Sequence, residues 1–377
     1  MKILICNTNI YAGGAESVLR DLVNHLLTRG HDITILASPQ NKNDLSTAFK
    51  SDVRFVRLRC PQVKNCHNIL SNCLNSLISK FVRVNSALWL KFHRFDVGIA
   101  FLEGLTTRDG VNIRANRKFA WVHCDLEYYH NIQCYKDVFP SVVEERKAYE
   151  RYDKVVCVSE TARKGVIKAV GDLGNLCVRY NPINWKKIQA MAQEPCPLKK
   201  DMFRPLIVSV GSLTHVKNYG LLLEACNRLK DKCAFDLWII GKGSEENKLK
   251  EYIELQKLDN VKLLGFQKNP FNFLTQADLF VSTSTSESYG LAIQEALILS
   301  VPVVAVNCPG VAETFDKRFG VLVENSAEEL ASKIYELLTN SLKLESLRKI
   351  IKENYPLESL YDDRMKKICE LIEGDEE

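Results

Sequence analysis

The chain alternates short apolar runs of strand character with stretches of helical periodicity, and it does so in two successive series. The runs fall at 1–6, 32–36, 53–58, 97–101, 118–122 and 154–158, then restart at 205–210, 235–240, 261–264, 279–282 and 302–306. Strands separated by helices predict parallel sheets covered on both faces, the doubly wound α/β class. At 377 residues the chain is long enough for two such domains, each with its own core. The turn-rich segment 180–184 marks the expected boundary, giving domains 1–184 and 185–355. The tail 356–377 opens on Pro356 and reads as a polar amphipathic helix.

Open sheets of this kind bind ligands outside the carboxyl ends of their strands, so the residues just after each run carry the information. After 279–282 come Glu287, Tyr289, Gly290 and Leu291, then an expected helix over 290–299 that holds Glu295. Free amides at Gly290 and Leu291, at the positive end of the helix dipole, suit a pyrophosphate. Gly290 lets the phosphate come close. Carboxylates accept hydrogen bonds from paired hydroxyls, so one glutamate suits a sugar and the other a ribose. A solvated helix that happens to carry two glutamates is the plainer alternative for the spacing alone. After the first run stand Gly13 and Gly14, which fit either a ligand loop or a simple tight turn. They form no Gly-x-Gly-x-x-Gly fingerprint, and no Walker A sequence occurs.

Glu287 and Glu295, with Tyr289, Gly290 and Leu291 between them, resemble the donor signature of family 4 of the retaining glycosyltransferases. Gly13, Gly14, Ala15 and Glu16 look like that family's N-terminal loop, and Gly211 followed by Lys217 and Asn218 looks like the start of its nucleotide-binding half. The motifs occur in the family's order over nearly the whole chain. The resemblance implies the GT-B fold, two Rossmann-like domains facing across a cleft, with the acceptor bound by the first, a nucleotide diphosphate sugar bound by the second, and the tail packed back on the first. It implies donor contacts from Gly14, Ser212, Lys217, Gly241, Gly265, Phe266, Glu287, Tyr289, Gly290, Leu291 and Glu295. His123, at a strand end, matches the family's cleft histidine, so His123, Glu287 and Lys217 are the expected catalytic residues. Acceptor contacts are expected from Glu103 and Asp125, with Ser159, Glu160 and Asn181 as weaker candidates. By themselves a histidine at a strand end and a lysine at a helix start are more often structural or solvated. The family commonly has an arginine where this chain has Ser212, so one phosphate cation is missing from its usual place.

No serine, histidine and aspartate triad can be assembled from these motifs, which fits a retaining reaction driven by orientation and electrostatics. No Asp-x-Asp triplet occurs, so no metal site and no cofactor beyond the donor is expected. The thirteen cysteines include no Cys-x-x-Cys pair and read as reduced thiols. No run of about 18 apolar residues or signal peptide is found, so a cytoplasmic enzyme is expected. From Lys50 to Arg94 nine Lys or Arg face one acidic residue, Asp52, although the whole chain is only +5. The stretch 69–92 reads either as a basic amphipathic helix able to sit on an anionic membrane, with Lys80, Arg83, Lys91 and Arg94 on one face, or as a helix covering its own core. Nucleic acid is a poorer partner because the aromatic residues lie on the apolar face.

These readings converge on transfer of a sugar, with a UDP-sugar favoured, to a saccharide acceptor, lipid-linked, in capsule, lipopolysaccharide or other surface glycan synthesis. A sugar-nucleotide epimerase or a phosphorylase on the same fold competes, as does a catalytically degenerate transferase acting as a partner subunit.

Overall fold

The computed structural model describes residues 1–7, 13–37, 49, 52–57, 88–131 and 138–375. Most of the basic stretch expected to form a helix over 69–92 lies outside these residues, and only 88–92 are described, as helical. The chain divides into one unit of residues 1–181 and 364–377 and a second of residues 182–363.

In the first unit seven parallel strands run in the order β3-β2-β1-β4-β5-β6-β7. They are β1 (Lys2–Asn7), β2 (Asp32–Ala37), β3 (Arg54–Arg57), β4 (Phe95–Ala100), β5 (Ala115–Val122), β6 (Lys154–Cys157) and β7 (Leu176–Val178). The second unit has six parallel strands in the order β10-β9-β8-β11-β12-β13. They are β8 (Leu206–Val210), β9 (Asp236–Ile240), β10 (Val261–Gly265), β11 (Leu279–Ser282), β12 (Val303–Val306) and β13 (Gly320–Val323). Both edge strands β7 and β13 were absent from the sequence expectation, which gave six and five strands. Each is short, and β7 is only half-buried, so it lacks the continuous apolar run that marks a strand covered on both faces.

Alternate residues of the second sheet feed two separate cores. Ile207, Leu237, Ile239, Leu279 and Val281 pack on one face, and Leu206, Val208, Trp238, Phe280 and Val303 on the other. Burying a side chain of this size contributes roughly 1.5–3 kcal/mol, which offsets the entropy of ordering the strands. In each sheet the strand order reverses once, between β1 and β4 and between β8 and β11. At such a reversal the loops diverge to opposite faces and leave a crevice at the carboxyl ends.

The helix Asp362–Glu373 buries Met365, Ile368, Cys369, Leu371 and Ile372, and its residues from Arg364 onward belong to the first unit. Its last residue fastens it there. Glu373 accepts two bonds of 2.6 Å from Arg29 and one contact of 2.8 Å from His31, while its backbone oxygen accepts from Arg117 at 2.9 Å.

Candidate active site

The second unit gathers most of the expected donor residues around the β8 and β11 crevice. The 3-10 turn His215–Lys217 follows β8, and Asn218, in the left-handed region at φ 49°, turns the chain into the helix Tyr219–Leu229. Asn tolerates that conformation better than most residues. The end of β11 holds this turn in place: Thr283 Oγ1 donates to the Lys217 oxygen at 2.9 Å, and the Thr285 amide donates to the Val216 oxygen at 2.9 Å. Lys217 can therefore reach across the crevice. Its Nζ lies 2.5 Å from Oε1 of Glu287, which also accepts from Ser284 Oγ at 2.7 Å. Among the described residues Oε2 of Glu287 has no partner and is available to a ligand.

Gly290 adopts φ 72° and ψ 48° and caps the helix Leu291–Ile298. A side chain there would be strained whatever the space. Its carbonyl accepts from Ile293 and Gln294, while the amides of Gly290, Leu291 and Ala292 find no acceptor among the described residues. Unbonded amides at a helix start are suited to an anion, which is the role expected of Gly290 and Leu291 from the sequence. One turn further on, Glu295 is half-buried, and burial pushes its carboxyl up to about 7. Among the described residues no group bonds that carboxyl. Tyr289 is only 4% exposed and its carbonyl accepts from Thr314 Oγ1 at 2.9 Å, so its ring anchors the turn rather than lining open space. Gly310 supports the same turn from outside, because a Cβ there would collide with the Glu287 carbonyl.

Ser212 is exposed, and among the described residues its hydroxyl meets only Thr214 Oγ1, at 3.5 Å. A Cβ at Gly241 would strike the Gly211 carbonyl, so the loops after β8 and β9 touch through their backbones. Gly265, at φ 68°, ends β10, and its carbonyl accepts from the Gly241 amide at 2.9 Å. Phe266 follows it with 47% of its surface exposed, free to stack on a planar base.

Gly14, His123, Glu103 and Asp125 lie in the first unit. Gly14 opens the helix Gly14–Thr28, and the Glu16 carboxylate reaches back to the Gly13 amide in half of a capping box. Burial and the charge of Glu103 nevertheless raise the Glu16 carboxyl, with Arg20 and the backbone bonds opposing. His123 follows β5 against Phe101, ring centres 4.8 Å apart, and burial lowers its pKa to about 4. It is therefore a neutral imidazole at physiological pH, and its buried Nε2 has no hydrogen-bond partner among the described residues. Glu103 accepts from the His123 amide at 2.9 Å and so steadies the end of β5. Asp125 instead caps the helix Leu126–His130 through Tyr128, at 3.4 Å, a structural duty that its place before a helix could have revealed. Ser159 likewise caps the helix Glu160–Val170. Asn7, which sequence reasoning passed over, is 0% exposed at the end of β1, and neither side-chain atom finds a partner among the described residues. Such groups are rare in folded proteins and mark places where a ligand or water is expected.

Two family models match the sequence: Glycosyltransferase Family 4 over residues 12–186 and Glycosyl transferases group 1 over residues 193–355. The chain belongs to the family 4 glycosyltransferases. Among its relatives is an uncharacterized glycosyltransferase of Methanocaldococcus jannaschii, 29% identical over 57% of this chain and 54% of the relative. Another is the N-acetylgalactosamine-N,N'-diacetylbacillosaminyl-diphospho-undecaprenol 4-alpha-N-acetylgalactosaminyltransferase of Campylobacter jejuni, 33% identical over 50% of each chain. The chain thus spans about half the length of these two curated relatives. Among solved structures, HepE of Anabaena in complex with UDP and glucose superimposes with a TM-score of 0.75 at 20% identity, covering 99% of both chains. That likeness establishes the GT-B fold for this glycosyltransferase. Among the described residues no group of three His, Cys, Asp or Glu is placed to hold a metal ion, and no helix is long and apolar enough to cross a membrane.

Proposed function

We propose that the protein is a retaining glycosyltransferase that moves a sugar from a nucleotide diphosphate sugar, UDP-linked, to a lipid-linked saccharide in surface glycan synthesis. The observation that carries this reading is the Lys217 and Glu287 pair spanning the β8 and β11 crevice, beside the free amides of the helix Leu291–Ile298. A diphosphate at those amides would place its ribose one turn along the helix at Glu295, and its sugar at the unbonded Oε2 of Glu287. The developing charge on the leaving phosphate is then stabilised by Lys217 and the amides, where preorganised donors contribute most. The acceptor hydroxyl attacks on the face of the leaving group, whose phosphate oxygen takes the proton. In the first unit neutral His123, whose Nε2 has no partner among the described residues, can make a hydrogen bond to an acceptor sugar and needs no charge to do so.

The donor assignment draws support from the UDP bound to HepE, and the lipid-linked acceptor from the diphospho-undecaprenol named for the Campylobacter relative. Phe92, 80% exposed beside Lys91 and Arg94, suits attachment to an anionic cytoplasmic leaflet where such an acceptor would present its sugar. The deciding experiment is a thermal-shift screen of nucleoside diphosphates and their sugars, followed by transfer assays on lipid-linked acceptors with the donor that stabilises best. A donor bound only by the folded state raises the melting temperature. A flat screen would remove the reading.

A further inference from the structure

A diphosphate carries more charge than Lys217 can balance, because Glu287 already neutralises that lysine at 2.5 Å. The subsite is therefore short of a cation, and Ser212, the exposed residue on the loop beneath it, supplies none.

The neighbouring loop does. Lys242 lies between Gly241 and Gly243, and both glycines are required by close contact: a Cβ at Gly241 would meet the Gly211 carbonyl, and one at Gly243 the Leu213 carbonyl. The Leu213 amide donates to the Lys242 carbonyl at 3.0 Å, and the Glu245 amide donates to the Leu213 carbonyl at 2.9 Å. The loop carrying Lys242 is thus welded through backbone contacts to the loop carrying Ser212. Lys217 folds over Gly211, its Cε 3.5 Å from where a Cβ would stand. Lys242 folds over Gly265 in the same manner, its Cε also 3.5 Å from the Cβ position. Ser212 directly follows Gly211, the residue that Lys217 folds over. Among the described residues Lys242 makes no ion pair. Glu246, whose carboxyl Lys242 helps to hold low, already pairs with Lys250 at 2.7 Å.

We propose that Lys242 is the second cation of the diphosphate subsite, taking the phosphate charge that Lys217 cannot balance and doing the work for which Ser212 has no charge. The inference rests on the donor reading given above. An exposed ammonium with no fixed partner can swing onto an entering phosphate without breaking an existing bond, and a charge-assisted bond to phosphate is about twice as strong as a neutral one.

The test compares binding of UDP, GDP, the corresponding monophosphates and the free nucleosides, by calorimetry, to the wild type and to Lys242→Gln, Lys242→Arg and the exposed control Lys248→Gln. Lys242→Gln should weaken the preferred diphosphate about tenfold, the monophosphate less and the nucleoside not at all, while Lys242→Arg and Lys248→Gln bind as the wild type does. Adding Ser212→Arg to Lys242→Gln should restore most of the lost affinity, a readout that mere damage to the loop would not give. Wild-type binding of a diphosphate that Lys242→Gln leaves unchanged overturns this inference alone. A wild type that binds neither UDP nor GDP overturns the donor reading, and this inference falls with it.

Discussion

Lys217 and Glu287, seventy positions apart in the chain, neutralise one another across the crevice of the second sheet, Nζ to Oε1 at 2.5 Å. The pair holds the lysine in place, and it makes the two residues separable by experiment. Glu287→Gln should leave Lys217 uncompensated, so a bare nucleoside diphosphate should bind roughly fivefold more tightly, as expected for one screened unit charge. Turnover should fall at least tenfold because a sugar hydroxyl loses its acceptor. Fluorescence titration and initial rates on the same samples separate the two effects, and weaker diphosphate binding in this variant would refute the assignment.

Lys217→Ala should reduce turnover by roughly 10²–10³, the range for loss of one preorganised donor at developing charge. The same assay repeated in excess chelator checks whether charge stabilisation is carried by the protein alone. Activity that vanishes with chelator and returns with magnesium or manganese would assign that part to a metal.

Glu295 supplies a pH signature. Its carboxyl is raised from the ordinary value to about 7, so in the free enzyme it is largely protonated at pH 6 and ionised at pH 8. A raised acid binds more protons folded than unfolded, so the stability contributed by this group falls as pH rises from about 4.5 to 7 and is level above. Ribose hydroxyls favour the ionised acceptor. Affinity for a nucleotide sugar, whose diphosphate stays ionised throughout, should therefore strengthen between pH 6 and 8. Glu295→Gln should flatten that slope and bind more weakly at pH 8, and an unaltered slope would sink the ribose role.

Gly310→Ala probes the support of the site from behind. The new methyl group meets the Glu287 carbonyl, so backbone must move, at a cost of roughly 1–3 kcal/mol. Thermal melting should drop by several degrees, and the stabilisation given by a donor should shrink more than the melting temperature alone predicts.

Glu373→Gln should loosen the last helix from the first unit. The Arg29 bonds, and then His31, hold the Glu373 carboxyl below the usual carboxylate range against its desolvation. A depressed acid stabilises the fold above its unfolded pKa and loses that stabilisation as pH falls. The wild type should melt above the variant at pH 7, by roughly 1 kcal/mol for a half-exposed partner, and the two curves should converge as pH falls below the usual carboxylate range.

Much of the architecture was legible because strands buried on both faces must be apolar throughout, as Ile3, Leu4 and Ile5 are. β7 escaped because a half-buried edge strand needs no such run, and β13 because its apolar run, Gly320–Val323, is only four residues long. Glu287, Gly290 and Glu295 were legible from their places around a helix start, whereas the pairing of Glu287 with Lys217 and the bond from Ser284 arise only when two strand ends come together. Burial is likewise invisible in a linear sequence: nothing in the order of letters says that Asn7 is sealed from water or that Tyr289 faces inward. Asp125 shows the opposite case, since a capping aspartate before a short helix carries a local signal that competes with a functional reading.

The attachment of Glu373 to Arg29 bears on how such a chain is made. Those residues are 344 positions apart, and at about 5–20 residues per second a ribosome needs roughly 20–70 s to add the second after the first. The first sheet is complete in strands long before its final helix exists. Until then Arg29, His31 and Arg117 have no Glu373 to meet, and the apolar surface destined for Met365, Ile368 and Ile372 stays uncovered on the nascent chain. The length of the intervening second unit thus sets how long the first must survive unfinished, which makes this surface the natural place for a chaperone to act.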